Sequence, residues 1–114
     1  MGQAVETVTL TTAQAIVRYL SNQWIVVNGV ETRVCGGGFG IFGHGNVTCL
    51  GEALYDHRAE LPLYRGQNEQ GMGFAAAAYA KAYKRQRFML CTASAGPGTA
   101  NLLTAAALAH ANRL

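Results

Sequence analysis

Aspartate is nearly missing from this chain. Asp56 is the only one in 114 residues, beside five glutamates. One Asp cannot build an all-carboxylate cage for Mg²⁺ or Ca²⁺, which excludes an EF-hand, a two-metal nuclease and a self-sufficient phosphoryl-transfer enzyme. Charge is sparse as well, at 13% of residues, too little for a solvated disordered tail. The three cysteines, Cys35, Cys49 and Cys91, are odd in number and irregular in spacing, with no Cys-x-x-Cys. That argues against a disulfide framework or a zinc site and for reduced, structural thiols in a cytoplasmic protein. No apolar run reaches the roughly 18 residues a membrane span needs, and no basic segment leads into an apolar one as a signal peptide requires. A Gly-x-Ser-x-Gly elbow is absent too, and Cys91 falls within a predicted strand, so nucleophilic catalysis has little support.

The net charge of +3 comes largely from Lys81, Lys84, Arg85 and Arg87. These cations suit a helix C-terminus, where they complement the dipole. A nucleic-acid surface would need a longer basic stripe with interleaved aromatics, so no nucleic-acid partner is expected, and no membrane either.

Half of the chain is apolar and 14 residues are glycine, which is enough to bury the core of one domain. Met1–Thr9 reads as a leader or edge segment. Thr11 with Gln14 forms a capping box ahead of a helix running to about Gln23. Trp24–Val27 and Val30–Cys35 flank Asn28-Gly29, a strong hairpin signal because both turn residues need positive φ. Phe39–Phe42 reads as a short buried strand and Gly43–Asn46 as a loop. Val47–Glu60 is then a helix and Pro62–Arg65 a strand. Asn68 caps a helix through about Lys84, and Arg87–Thr92 is a third strand. After the loop Ser94–Gly98, Thr99 or Asn101 starts a last helix that ends near Asn112.

Strand–helix repeated three times with short connections predicts a parallel α/β sheet with right-handed crossovers. Ligands in such sheets sit beyond the carboxyl ends of the strands. Those ends are Gly43–Asn46, Gly66–Glu69 and Ser94–Gly98. Gly38-x-Gly40-x-x-Gly43 matches the dinucleotide fingerprint only as a string, since its glycines lie within the strand and the helix starts after Asn46. Close backbone packing accounts for them better. Glu69 follows the cap residue Asn68 at a strand exit, among Gly66, Gly71 and Gly73. A first-turn acid complements the dipole, but glycines at this density cost helix propensity, which suggests a carboxylate aimed into a cleft. None of the histidines has metal-ligand spacing. His44, in the loop after the first strand, is the one placed for function.

Three segments together carry a resemblance: Ile41-Phe42-Gly43-His44-Gly45-Asn46, Tyr64 to Met72 around Glu69, and Ser94-Ala95-Gly96-Pro97-Gly98 with Asn101. The chain resembles the N-terminal pyrimidine-binding (PYR) domain of thiamine-diphosphate-dependent enzymes, from Thr11 to Arg113. The Phe-Gly-His-Gly-Asn string and the hairpin before it favour the ring-opening C–C hydrolases of inositol catabolism over acetolactate-synthase-like carboligases. The resemblance implies a three-layer αβα PYR-type fold, incomplete here, with the hairpin inserted after the first helix. Glu69 would be the catalytic, cofactor-binding carboxylate that bonds N1′ of the aminopyrimidine and favours its imino tautomer. Ser94 and Gly96 would line the cofactor, and His44 and Asn46 would face a small-molecule substrate. No metal ligand is expected in this chain. Mg²⁺ and the diphosphate would be held by a separate domain on a second subunit, in a homo-oligomer, through a Gly-Asp-Gly motif with no match here. The chain alone is therefore expected to be an inactive fragment or a non-catalytic remnant. Gln67 and Phe74 stand where the family usually has His, and Thr99-Ala100 inverts the usual order before Asn.

Overall fold

The computed structural model describes residues 6–114. The expected leader lies outside the described residues as far as residue 5, and residues 6–11 are neither helix nor strand. Helix α1 spans Thr12–Ser21, and both halves of its capping box form: Gln14 N–H donates to Thr11 Oγ1 and Thr11 N–H to Gln14 Oε1. Strands β1 (Trp24–Val27) and β2 (Val30–Arg33) make the predicted hairpin as a separate antiparallel ribbon, with Trp24 opposite Arg33 and Val27 opposite Val30. Its turn places Asn28 at φ 51° and Gly29 at φ 79°, the left-handed pair that a tight hairpin turn requires.

The main sheet has three parallel strands in the order β4-β3-β5, with β3 (Cys35–Ile41) central, β4 (Leu63–Arg65) on one side and β5 (Phe88–Ala93) on the other. The central strand begins at Cys35 rather than at Phe39, so Gly36-Gly37-Gly38 are strand residues. The reason is close approach. A Cβ on Gly37 would collide with the Pro62 carbonyl, and one on Gly38 would lie 3.1 Å from the Leu90 oxygen. Gly37 also sits at φ +123° beside a register shift between Cys35 and Gly38, a backbone state open to glycine.

The predicted Val47–Glu60 helix is shorter and mixed. A π-helical turn at Val47–Gly51 runs into α2 (Glu52–Asp56), because Gly51 N–H bonds back to the Asn46 carbonyl at 2.8 Å and widens the turn. Helix α3 covers Glu69–Ala82. The last predicted helix is two pieces, α4 (Pro97–Asn101) and α5 (Leu103–Ala111). It starts two residues before Thr99 because Pro97 takes the first helical position, where its missing N–H costs nothing.

Two apolar layers sandwich the sheet. On one face α1 and α2 bury Val17, Ala53 and Leu54 with Cys35 and Leu61, backed by Leu63 and Leu90. Each fully buried Leu or Val there stabilises the fold by about 1.5–3 kcal/mol. On the other, α3 packs on β5 and α5 packs on α3, burying Met72, Ala77, Ala80, Met89 and Ala105. The α/β, three-layer expectation is met.

Candidate functional site

The strand exits converge as a parallel sheet dictates. β3 leads to Gly43 and β5 to Ser94, and these two loops touch: a Cβ on Gly43 would stand 2.7 Å from the Ser94 Cβ. Glu69 opens α3 just after β4. Asn68 does the capping, its Oδ1 accepting from Gly71 N–H at 2.9 Å, which frees the Glu69 side chain from that duty.

The Glu69 carboxylate instead reaches across to α4. Asn101 Nδ2 donates to its Oε2 at 2.8 Å. Both residues are half-buried. The Asn101 amide, and to a lesser degree the backbone N–H of Glu69, holds the carboxyl below its ordinary range, against the opposing effect of burial. The other carboxylate oxygen lies over Gly98. A Cβ at Gly98 would come 3.3 Å from Glu69 Oε1 and 2.6 Å from Ser94 Oγ, so this buried glycine forms a floor between the two side chains. The loop is pinned beneath them, with Thr99 donating to the Ser94 carbonyl from its N–H at 3.0 Å and its hydroxyl at 2.8 Å.

Of the sequence-predicted site residues, Glu69 and Ser94 are thus brought together. Gly96 is the exposed cap of α4 at φ +72° with open space over its Cα. His44 is exposed at φ 51°, beyond Gly43 along the loop, and Asn46 is half-buried at the start of the π turn. Neither side chain makes a hydrogen bond among the described residues. Gln67 is exposed, and Phe74 lines a hollow with Ala77, Ala78 and Leu108 between α3 and α5.

Two readings change. The glycines around Glu69 mostly serve packing. Gly73 lets α5 approach, with Ala105 Cβ only 2.5 Å from where its own Cβ would be, and Gly66 makes room for Met72 and Ile41. Asn101, read as part of a motif and as one possible start of the last helix, ends α4 instead and supplies the one side-chain hydrogen bond to Glu69 among the described residues. Pro97 was the available signal: a helix started there places Asn101 at the end of its first full turn.

Together these features define an α/β domain with a carboxylate, held below its ordinary range by Asn101, beside a buried glycine at the carboxyl edge of its sheet. Residues 10–114 match the family described as thiamine pyrophosphate enzyme, N-terminal TPP binding domain, and the chain belongs to that family. It is 51% identical over 109 residues to the 3D-(3,5/4)-trihydroxycyclohexane-1,2-dione hydrolase of Listeria innocua, a match covering 96% of this chain and 17% of that protein. It is 50% identical, with the same coverage, to proteins of that name from Bacillus cereus and Bacillus thuringiensis. The chain thus spans about a sixth of the length of these relatives. Membership implies thiamine diphosphate as the cofactor. Among the described residues no helix is long and apolar enough to cross a membrane, and no group of three or more His, Cys, Asp or Glu could hold a metal ion.

Proposed function

We propose that this chain is the pyrimidine-binding part of a thiamine-diphosphate-dependent C–C bond hydrolase that opens the ring of trihydroxycyclohexane-1,2-dione. The observation that carries the reading is Glu69, a first-turn carboxylate at the carboxyl edge of the sheet with Oε1 facing Gly98 and Oε2 committed to Asn101. The chemistry suits the N1′-protonated form of an aminopyrimidine: its N1′–H would find an acceptor in the Glu69 carboxylate, one oxygen of which Asn101 already occupies.

When bound, thiamine diphosphate would supply the carbanion chemistry. This chain's work is orientation and proton sharing. Glu69 would accept a hydrogen bond from the protonated N1′ of the bound pyrimidine and so hold the ring in the form whose 4′-nitrogen can serve as a base. Ser94 and Gly96 border the ring, and His44 and Asn46 lie on the loop that meets substrate. In this reading Mg²⁺ and the diphosphate are held by another subunit's domain within a homo-oligomer in the cytoplasm, and the chain alone does not turn over.

The test is a chimaera in which this chain replaces the matching 109-residue segment of the Listeria innocua hydrolase. We expect it to consume the cyclic dione, and Glu69→Gln in it to slow C2–H exchange of bound thiamine diphosphate by at least about 100-fold. A folded chimaera that binds the cofactor but leaves the dione intact, or a Glu69→Gln variant that exchanges at the parent rate, would overturn the reading.

A further inference from the structure

We propose that Asn101 is a positioning residue for Glu69, fixing the carboxylate plane so that Oε2 is occupied and Oε1 alone is presented to the ligand. The proposal rests on the reading that Glu69 meets the cofactor's pyrimidine nitrogen.

The geometry is specific. A glutamate has three rotatable side-chain bonds, and left alone in the first turn of a helix it would sample several staggered rotamers. The bond from Asn101 Nδ2 spans 32 positions of sequence and ties α3 to α4 at the place where direction matters. Three features converge to make it. Helix α4 is only five residues long and ends at Asn101, where Leu102 interrupts it before α5. Its start is held by Thr99 on the Ser94 carbonyl. Its distance from α3 is set by Gly73, since a Cβ there would lie 3.2 Å from Leu102 Cδ2. A longer side chain at position 73 would push α4 and α5 away and break the contact.

The bond also divides the carboxylate's labour. Ionised, it has two oxygens with lone pairs to offer. Asn101 is a neutral donor, so it stabilises the charge at Oε2 without competing for a proton. No charged side chain contributes to the lowering of the Glu69 carboxyl; its causes are Asn101 and the residue's own backbone N–H. Asn101 therefore keeps the acceptor ionised and aimed, as outer-shell partners do for the groups they orient.

Losing the Asn101 bond shifts the Glu69 titration whether the bond positions the carboxylate or only ties the helices, so the titration tests that the bond forms and the exchange rate tests what it does. Carbon-detected NMR on this chain should give a Glu69 carboxyl below the ordinary range. Asn101→Ala, and Asn101→Leu as the variant that keeps the bulk, should both return it to the ordinary range. An unchanged Glu69 titration in either folded variant overturns the proposal. In the chimaera, Asn101→Leu should slow C2–H exchange of bound thiamine diphosphate by roughly tenfold with KM for the dione unaltered; exchange at the parent rate also overturns it. Failure of the cofactor reading looks different: Glu69→Gln then leaves exchange unchanged while the titration shift caused by Asn101→Leu persists.

Discussion

Glu69 shows what one residue's neighbours decide. Its place after the cap residue was legible from Asn68 and the strand exit, because capping and parallel-sheet topology are local and directional rules. Its partner was not, because a hydrogen bond across 32 positions depends on how two helices approach. The glycines were legible as needing space but misleading about who fills it: at Gly73 it is Ala105, while at Gly43 and Gly98 it is Ser94, joined at Gly98 by Glu69. Gly98→Ala is accordingly expected to push on Ser94 Oγ and Glu69 Oε1 together. Overpacking of this kind costs about 1–3 kcal/mol. Thermal unfolding should show the loss, and the Glu69 carboxyl should titrate nearer its ordinary value as Asn101 is displaced. If the Gly98→Ala variant leaves both properties unchanged, the floor has slack.

At the scale of elements, the signals that worked had a stated local mechanism. Thr11 and Gln14 made a capping box, and Asn28-Gly29 made a hairpin turn. Thr11→Ala should therefore cost about 1 kcal/mol in denaturant unfolding, read as a lower midpoint at unchanged slope. A loss near zero would mean that α1 is held by Val17 packing alone. What failed were boundaries set by tertiary contact. The predicted strand began only at Phe39, after Gly36–Gly38, because glycine is poor in isolated strands, yet neighbouring backbone and side chains crowd those glycines and leave room for nothing larger. The π turn ahead of α2 likewise rests on one backbone bond, from Gly51 to the Asn46 carbonyl, which periodicity does not encode.

For the molecule as a whole, acid is the informative stress. Glu60, hydrogen-bonded by His57 at 2.8 Å, and Glu69, bonded by Asn101, both have carboxyls held below the ordinary value of 4.5. Each favours the ionised form in the folded state. The stability they add is therefore present above about pH 4.5 and lost as pH falls through their lowered folded values. The melting temperature should drop below pH 4.5, and Asn101→Leu should shrink that drop; a melting temperature that rises on acidification contradicts the assignment.

The sheet order has a consequence in time. The central strand β3 pairs on both sides with segments made after it, and Phe39 meets Cys91 only at the far end of the chain. At about 5–20 residues per second on the ribosome, the middle of this sheet waits seconds for its last neighbour. Most strands left bare that long would be adhesive. This one is Cys-Gly-Gly-Gly-Phe-Gly-Ile, with few apolar side chains to stick, so the glycines that allow tight packing in the finished protein also keep the nascent one quiet.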